Sequence, residues 1–355
     1  MTGNGPLTVL NVFPHPGGGA ERMLDVLEDA QPDVRHERAY LAPSSEPLAA
    51  APAIPRRWPG IVGRALRADV VHAHGDMAAM LVVPLLAGRA SAMSTHGLSF
   101  LRRATGSRRQ VARRGMETVI RTASRTVCTS ATEMHELERI VGPTDTRRLR
   151  LVLNGVPVPN LDDGADEAAR VRRELGVDDG VVGVFLGGLE PHKDPITAAR
   201  AARLARERGV PFTLLVAGEG SLADDIAIEG GDAVRVLGFR SDPERLLRAG
   251  DVFLMTSQRE AVSCALLEAM SFGVAAIASD ARGNPEGLGD TGLMVPVGDA
   301  EAFAESIVRL ARDPEERRRL GAAGRERVLE LFTSDRLARQ MDAVYAEVLA
   351  ESLTS

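Results

Sequence analysis

The chain has 355 residues, a formal net charge of −6 and 44% hydrophobic residues. Its length exceeds what a single hydrophobic core usually supports, which predicts two domains. It has no apolar run of ~18 residues and no basic, apolar leader, which argues against a transmembrane helix and a signal peptide and favours a cytoplasmic protein. Its two cysteines are too few for a disulfide framework.

The first element is an apolar strand, Leu7–Phe13, followed by the sequence PHPGGGAER and a predicted helix over residues 20–30. A strand that leads through a glycine-rich turn into a helix is typical of phosphate-binding sites. Gly17, Gly18 and Gly19 would let a ligand approach the backbone closely. Their spacing is not the G-x-G-x-x-G of NAD-binding proteins. A tight turn without a ligand is the alternative interpretation.

Residues 41–60 are rich in Pro, Ala and Ser and predict a surface loop. After them, apolar segments alternate with helical ones, which is typical of a doubly wound parallel sheet. The predicted strands cover residues 69–73, 90–95, 126–130 and 149–153.

Three histidines lie at the predicted C-terminal ends of two of these strands, where open α/β sheets bind ligands: His72, His74 and His96. We expect His72 and His74 to face opposite sides of the sheet, or His74 to lie already in the following loop. A metal site there lacks a clear third ligand, so we expect none.

Residues 100–125 hold eight arginines and a single acidic residue, Glu117, and predict a positive face in an acidic protein. The segment could contact anionic lipid head groups or a phosphorylated acceptor. A solvated helix without a partner is the alternative. Because the segment lacks the interleaved aromatic side chains of a single-strand groove, we expect no nucleic-acid partner.

A domain boundary is predicted at residues 157–166, where Pro, Gly, Asn and Asp cluster. The alternation of strands and helices then restarts, so the second half predicts another doubly wound domain. Its predicted strands cover residues 181–186, 212–217, 234–237, 251–255 and 274–278. Helices predicted over 301–310, 314–331 and 334–349 complete the chain.

The segment DVFLMTSQREAVSCALLEAMSFGVAAIASD carries two glutamates around a predicted helix over residues 264–272. Ser263 is the expected N-cap and Gly273 the expected C-terminal cap of this helix. The N–H groups at a helix N-terminus favour a phosphate. Glu260 and Glu268, ~12 Å apart if all the residues between them were helical, would flank a bound diphosphate. Two ordinary surface glutamates are the alternative.

Nine short motifs follow one another along nearly the whole chain: GGGAER, ADVVHAH, STHG, VLNGV, GGLEPHKD, VAGEGSL, VRVLGF, EAVSCALLE and GNPEGLGDTGLMVPVGD. With them the chain resembles glycosyltransferase family 4, the retaining glycosyltransferases of the GT-B fold. The resemblance implies an α/β protein of two doubly wound Rossmann-like domains that face a cleft. Residues 1–160 would form the N-terminal acceptor domain, completed by a crossover helix within residues 334–355, and residues 161–333 the nucleotide-sugar-binding domain.

The resemblance also implies roles for single residues. Glu268 would bind the ribose hydroxyls, Glu260 would approach the donor sugar, and His96 would lie near the donor sugar and its acceptor. Lys193 stands where the family has its phosphate-binding lysine. The remaining residues expected around the donor are Gly17, Gly18, Gly19 and Gly188 near the diphosphate, Gly218 and Gly220 in the nucleotide pocket, Leu237, Gly238 and Phe239 at the base, and the backbone of Ala261, Val262, Ser263 and Cys264 at the sugar and phosphate.

Lys193 is the single lysine among 43 basic residues. Departure of a nucleoside diphosphate develops negative charge that cations and aimed N–H groups must stabilise. The sequence contains no D-x-D triplet to hold a metal, so we expect fixed cations to supply this charge. In a chain that otherwise uses arginine, one lysine indicates a demand for a compact ammonium. Compositional chance is the alternative.

Two positions depart from the family pattern. The family usually has an arginine where this chain has Gly188, and its loop before the second glutamate often reads E-G-F-G where this chain reads E-A-V-S. The first difference affects the diphosphate clamp and the second the sugar pocket. Arg240, Arg259 or Arg282 could compensate for the absent arginine.

The sequence therefore predicts a retaining, metal-independent glycosyltransferase that needs no further cofactor. The expected donor is a nucleotide-sugar, UDP- rather than GDP-linked, and the expected acceptor a hydroxyl of a small or lipid-linked molecule. The Arg- and Ala-rich composition associates it with natural-product, including antibiotic, or cell-envelope glycosylation. A GT-B epimerase acting on a nucleotide-sugar and a non-catalytic nucleotide-sugar-binding protein are the alternatives.

Overall fold

The computed structural model describes residues 5–42, 57–142, 145–162, 164–177 and 180–353. The chain divides into two compact units, one of Met1–Gly155 with Ser334–Ser355 and one of Val156–Thr333. Most of the predicted loop over residues 41–60 lies outside the described residues, and a helix begins near its end. Each unit is built on its own six-stranded sheet.

The first sheet has the strand order β2-β1-β3-β4-β5-β6, and all of its pairings are parallel. The five predicted strands are confirmed to within two residues. The edge strand β2 was not predicted because its sequence, VRHERAY, is mostly polar. The strands are β1 Leu7–Phe13, β2 Val34–Tyr40, β3 Val70–His74, β4 Ser91–Ser94, β5 Arg125–Cys128 and β6 Leu149–Leu151.

The second sheet has the order β12-β11-β10-β7-β8-β9 and is also parallel. Its five predicted strands are confirmed to within one residue, whereas the three-residue strand β12 was too short to give a pattern. The strands are β7 Val181–Leu186, β8 Phe212–Ala217, β9 Val234–Val236, β10 Val252–Met255, β11 Ala275–Ser279 and β12 Leu293–Val295. Read from β9 to β12 and counted from β7 as the first strand, this order is 3-2-1-4-5-6, which is the strand order of Rossmann folds.

The strands alternate with helices, as parallel connections require. The helices of the first part of the chain are α1 Gly19–Ala30, α2 Trp58–Ala65, α3 Asp76–Leu81, α4 Val83–Leu86, α5 Ser99–Arg103, α6 Gly106–Thr122 and α7 Ala131–Val141. Those of the rest are α8 Gly164–Leu175, α9 Pro195–Glu207, α10 Ala223–Gly230, α11 Pro243–Ala249, α12 Cys264–Ser271, α13 Asn284–Leu288, α14 Ala300–Arg312, α15 Pro314–Leu331 and α16 Ser334–Ser352.

The first sheet is covered by helices on both faces. Leu10 and Val12 of β1 belong to one buried cluster, together with residues of α3 and α6. Val9 and Phe13 point to the opposite face, because side chains alternate along a strand, and there they join a second cluster that includes Tyr345 of α16. The last helix of the chain is therefore part of the first unit's core, which confirms the predicted crossover.

Two further observations concern the cysteines and the possibility of a membrane-spanning helix. Cys128 and Cys264 are both free thiols. Within the described part of the chain, no helix combines the length and the apolar character that crossing a membrane would require.

Candidate active site

Lys193 and Glu260 form an ion pair at the carboxyl edge of the second sheet. Lys193 lies in the turn between β7 and α9, and Glu260 in the loop between β10 and α12. The Lys193 Nζ is 2.5 Å from the Glu260 Oε1, and the Ser257 hydroxyl donates to the same oxygen at 2.7 Å. The Glu260 side chain is only 10% exposed and the Lys193 side chain 27%. Both charges are thus held in place and partly withdrawn from water.

The turn that carries Lys193 is fastened to the end of β10. The Thr256 hydroxyl donates to the carbonyl oxygens of Lys193 and Asp194, at 3.1 and 2.8 Å. The Gln258 N–H donates to the His192 carbonyl at 2.9 Å. Asp194 has a left-handed backbone, φ +51°, and caps helix α9. A non-glycine residue in this conformation is strained, and such strain is commonly found at functional sites.

The predicted glycines of the nucleotide pocket lie in interlocking loops. The Gly187 N–H donates to Ala217, and the Gly218 N–H donates to Gly238 at 2.9 Å, which joins the loops after β7, β8 and β9. A Cβ on Gly218 would lie 1.9 Å from the Gly187 oxygen, and one on Gly220 2.5 Å from the Leu189 oxygen. Both positions therefore require glycine.

Gly188 differs from its neighbours because a side chain would fit there. The nearest atoms to a Cβ at this position are 4.0 Å away, in Glu190 and Glu219. Of the arginines that could compensate, Arg240 is paired with Asp242 at 2.7 Å, while Arg259 and Arg282 are exposed.

The remaining residues that were predicted to surround the nucleotide-sugar lie beside these loops. Leu237 directly follows β9 and donates its N–H to Val216, whereas Phe239 presents a side chain that is 70% exposed. Val262 and Ser263 are buried before α12, and Cys264 begins this helix. Gly283 lies against Ala261, since a Cβ there would be 2.1 Å from the Ala261 carbonyl.

Helix α12 has the predicted position but differs in one detail. Ser263 occupies the N-cap position, yet its side chain makes no capping hydrogen bond. Gly273 follows the helix with φ +72°, as expected for a C-terminal glycine. Glu268, in the middle of the helix, is half-buried.

The carboxyl edge of the first sheet holds a cluster of histidines. His74 Nδ1 is 3.0 Å from His96 Nε2, and His74 Nε2 is 2.9 Å from the Asn11 Oδ1. His72 lies between the Tyr345 hydroxyl and the Ser94 hydroxyl, at 3.0 and 2.8 Å. Burial lowers the pKa of His96 to about 4 and that of His72 to about 3, and it places the pKa of His74 well below 6.5. These imidazoles are neutral near pH 7.

The expectation that His72 and His74 face opposite sides of the sheet is wrong. Their ring centroids are 4.1 Å apart. Both residues belong to β3, and side chains two residues apart on a strand share one face. This face is the one covered by α16, through Tyr345.

The loop that carries His96 is held by a buried carboxylate. Glu133 accepts hydrogen bonds from the Gly97 N–H at 2.5 Å and from the Thr129 N–H and hydroxyl at 3.2 and 2.9 Å. His96 and Leu98 have left-handed backbones, with φ of +46° and +48°. Among the described non-glycine residues this conformation recurs only at Asp194, beside Lys193.

The glycine-rich turn after β1 already contacts a carboxylate. The Gly17 N–H donates to Glu21, which also accepts from the Tyr40 hydroxyl and pairs with Arg38 at 3.4 Å. Burial raises the pKa of Glu21, but these hydrogen bonds and the Arg38 charge outweigh it and leave the pKa lowered. The turn predicted to meet a diphosphate thus binds a side-chain anion, which is the same class of charge.

The arginine-rich segment forms α5 and α6. Ala112, Met116 and Val119 bury one face of α6. Three of the eight arginines form ion pairs: Arg102 with Glu136, Arg121 with Glu117 and Asp145, and Arg125 with Glu347 and Glu351. The other five are exposed and form a basic patch, defined here as Arg103, Arg108, Arg109, Arg113 and Arg114.

No group of three or more His, Cys, Asp or Glu side chains suited to a metal ion occurs in the parts of the chain that the structure describes.

The sequence analysis did not identify several residues of the candidate site. Thr256 and Ser257 directly follow β10, and a polar pair at the carboxyl end of a buried strand is a signal that could have found them. Asn11 and His36, by contrast, carry no such local signal.

Solved structures place the fold among glycosyltransferases. The chain is similar to HepE from Anabaena, solved in complex with UDP-glucose, with a TM-score of 0.78 and 18% identity over 98% of this chain and 99% of that one. WaaG, a glycosyltransferase involved in lipopolysaccharide biosynthesis, gives a TM-score of 0.72 at 15% identity, over 95% and 98% of the two chains. With its two Rossmann-like units, the chain has the GT-B fold.

Sequence relatives identify the family. The model for Glycosyltransferase Family 4 matches residues 9–158, and the model for Glycosyl transferases group 1 matches residues 180–313. An alpha-maltose-1-phosphate synthase of Mycolicibacterium smegmatis is 30% identical over 318 residues, 82% of each chain. The chain therefore belongs to glycosyltransferase family 4, and it is an enzyme of the glycosyltransferase class.

Other relatives match over shorter regions. The N-acetyl-alpha-D-glucosaminyl L-malate synthase of Bacillus anthracis is 35% identical over 151 residues, which are 40% of this chain and 39% of that protein. The putative glycosyltransferase EpsD of Bacillus subtilis matches over 49% of its own length. The chain thus spans less than half of these two relatives.

Proposed function

We propose that this enzyme transfers a sugar from a nucleotide-sugar to a hydroxyl group, with retention of configuration and without a metal. The observation that carries the proposal is the Lys193–Glu260 pair at the carboxyl edge of the second sheet, beside loops that only glycine permits at positions 218 and 220. Parallel sheets of this order bind nucleotides at that edge. The complex of HepE with UDP-glucose supports a UDP-linked donor.

Each charged side chain then has a part in the reaction. The Lys193 ammonium would stabilise the leaving diphosphate, because negative charge develops there as the glycosidic bond breaks. Glu260 would approach the donor sugar and Glu268 the ribose hydroxyls. The leaving phosphate itself would take the proton of the acceptor hydroxyl, so no separate protein base is needed. His96, in the first unit, would serve the donor sugar or the acceptor.

The acceptor class follows from the relatives only in outline. They include enzymes named for a maltose phosphate, for inositol 3-phosphate and for a diphosphoundecaprenol-linked sugar. These names include small molecules and a lipid-linked one, and they support a hydroxyl of either kind of molecule as the proposed acceptor. A role in natural-product or cell-envelope glycosylation remains a proposal based on composition.

The test is to incubate the protein with UDP- and GDP-sugars, with and without alcohol acceptors, in the presence of Mg²⁺ or of chelator. Transfer or slow donor hydrolysis that chelator leaves unchanged, with retained anomeric configuration by NMR, is the expected result. Epimerised donor would favour the epimerase alternative. Binding without turnover would favour a non-catalytic nucleotide-sugar-binding protein, and loss of activity with chelator would overturn the metal-independent mechanism.

We also propose that the basic patch contacts an anionic membrane surface. The side chains of Phe100 and Val111, on the same two helices, are 39% and 69% exposed. Apolar side chains beside exposed arginines are typical of helices that lie at a lipid interface. They favour a lipid surface over a soluble phosphorylated acceptor.

The protein should therefore sediment with vesicles that contain acidic lipid, and less so at high salt. Reversing Arg109 and Arg113 to Glu should abolish sedimentation while leaving transfer to a soluble acceptor unchanged. A raised KM for a phosphorylated acceptor without any vesicle binding would instead assign the patch to the acceptor.

A further inference from the structure

A line of hydrogen-bonded side chains connects His96 with the last helix of the chain. From His96 it passes through His74, Asn11 and His36 to Gln31, which bonds to the backbone and side chain of α16. All of these residues lie in the first unit. Apart from His96, none of them has a part in the proposed reaction, and several are buried polar groups that cost stability unless hydrogen-bonded.

The orientation of the Asn11 amide is determined by backbone carbonyls. The Asn11 Nδ2 lies 3.2 Å from the Val9 carbonyl oxygen and 3.5 Å from that of Glu37. Carbonyl oxygens only accept, so the group facing them must be the NH₂ and not the amide oxygen. The Asn11 Oδ1 is then the atom that faces His74, at 2.9 Å.

This orientation fixes the protonation of two histidines. Because an amide oxygen only accepts, His74 must carry its proton on Nε2, which leaves Nδ1 as an acceptor. His74 Nδ1 is 3.0 Å from His96 Nε2, so His96 must be the donor and must also carry its proton on Nε2. The same logic leaves Nδ1 of His96 unprotonated.

The other end of the line gives the same direction independently. The Gln31 Nε2 faces the Ala338 carbonyl at 3.3 Å and the Asp342 carboxylate at 2.7 Å, and both can only accept. The Gln31 Oε1 is thus left for His36, which donates from Nε2 at 3.1 Å. His36 Nδ1 then accepts from the Asn11 NH₂ at 3.2 Å, as the first argument requires.

Every hydrogen bond in the line therefore points the same way, from His96 toward the Asp342 carboxylate. Burial lowers the pKa of both His36 and His96 to about 4, so the neutral forms needed for this pattern are the stable ones. Chains of hydrogen bonds with a single direction polarise one another and become stronger.

We infer that Asn11 and His74 are positioning residues that hold His96 in its Nε2–H tautomer, with Nδ1 as a hydrogen-bond acceptor. This inference rests on the proposed function in taking His96 as a residue that meets the donor sugar or the acceptor. A ligand group bound to Nδ1 must then be a donor. A sugar or acceptor hydroxyl satisfies that condition, and a phosphate oxygen does not.

The first test is NMR of the unaltered protein with ¹⁵N-labelled imidazoles at neutral pH, which separates the two tautomers by the shifts of their nitrogens. His36, His74 and His96 should all be in the Nε2–H form. Finding His96 with its proton on Nδ1 would overturn the inference whether or not the protein transfers sugar, and absence of transfer would leave the tautomer result intact.

A pair of matched variants tests the cause. Asn11→Leu removes the acceptor from His74, so the His74–His96 pair can reverse and His96 should become a mixture of tautomers. Gln31→Leu removes a buried amide from the same line, but the Asn11 amide stays fixed by its carbonyl partners. The His96 tautomer should therefore be unchanged in Gln31→Leu, although both variants lose stability.

Activity provides the second readout. Asn11→Leu should lower kcat about tenfold or more with the KM for the nucleotide-sugar nearly unchanged, whereas Gln31→Leu should retain kcat. Asn11→Asp keeps an oxygen toward His74 and, in the neutral acid form that burial favours, a hydroxyl donor toward the carbonyls, so it should restore most of kcat and the Nε2–H form. Equal effects of Asn11→Leu and Gln31→Leu on tautomer and kcat would reduce the line to a purely structural role. If Asn11→Leu does not fold, the spectrum of the unaltered protein and the Asn11→Asp variant still decide.

Discussion

The carboxyl edges of the two sheets carry side chains of opposite chemistry. The first sheet presents neutral imidazoles and amides, buried and joined by hydrogen bonds. The second presents a charged pair, Lys193 and Glu260, that water still reaches in part. Both edges share one device, a strained left-handed residue, at His96 in the first and at Asp194 in the second. Under the proposed function, the first edge would orient hydroxyl groups and the second would stabilise the charge of the leaving diphosphate.

Removing the Lys193 ammonium from the charged edge should have the largest effect on activity. Lys193→Ala should lower kcat by ~100- to 1000-fold or more, the usual cost of losing a preorganised electrostatic donor. Gly188 supplies no second cation, and Glu260 would be left without its partner. Lys193→Arg should recover only part of kcat, because a planar fork replaces a point charge.

Steady-state kinetics at saturating donor would measure this loss. Arg309→Ala is the control, since it removes an exposed cation on α14 that is paired with Glu316 and has no part in the proposed site. Lys193→Ala with a tenth or more of the original turnover would show that the charge comes from elsewhere.

Two glutamates should separate binding from turnover at the charged edge. Glu268→Ala should weaken donor binding several-fold to a hundredfold, as expected for a lost charged hydrogen bond of ~1.5–3 kcal/mol. Glu260→Ala should chiefly reduce kcat. Titration calorimetry with UDP and the donor, beside kinetics, distinguishes the two, and the exposed Glu244→Ala serves as the control. Small, equal changes from both substitutions would contradict the assignment.

The neutral edge should show itself in the pH dependence of stability. The pKa values of His36, His72 and His96 are lowered by burial from 6.5 to between about 3 and 4. Between those values and 6.5 the unfolded chain binds more protons than the folded one. The contribution of these histidines to the free energy of unfolding is therefore fully present above pH 6.5. It decreases as the pH falls, with a slope that approaches ~1.4 kcal/mol per pH unit for each fully buried histidine.

Urea unfolding at pH 7, 6 and 5 measures this slope. Trp58, the single tryptophan, packs against the first unit's core, so its fluorescence reports on that unit. The exposed His135, replaced by Asn, should leave the slope unchanged. A free energy of unfolding that is constant between pH 7 and pH 5 would mean that the histidines are not held neutral.

The smallest expected effect is a gain at the charged edge. Gly188 has room for a side chain, so Gly188→Arg should add a second cation and tighten UDP binding about fivefold, or ~1 kcal/mol. Gly188→Gln fills the same space without charge and should not. Combined with Lys193→Ala, Gly188→Arg should also restore part of the lost kcat. Identical affinities for the Arg and Gln variants would show that the added side chain does not reach the diphosphate.

The sequence predicted the charged edge better than the neutral one. Glycine turns, the single lysine and the paired glutamates are local signals, and strands β7 to β11 follow apolar runs that leave little ambiguity. The loop positions of Gly188, Gly218 and Gly220 could therefore be anticipated. Their roles as ligand-binding residues stay predictions.

The neutral edge depends on contacts between distant residues. Asn11, His36 and His74 lie on β1, β2 and β3 and meet only once the register of the sheet is set. Strand β2 has no apolar run, so its pairing with β1 gave no signal, and with it His36 was missed. The wrong expectation for His72 and His74 could have been avoided from the sequence alone, because residues two apart on a strand share a face.

The place of α16 in the first unit has a consequence for synthesis. Residues 156–333 form a unit from one continuous stretch, but the first unit lacks α16 until the residues of that helix have been made. At ~5–20 residues per second, the face of β1 with Val9 and Phe13 waits roughly 15–65 s for Tyr345 and its neighbours. Residues 156–333 can thus finish folding first, and the neutral edge is complete only once α16 has left the ribosome.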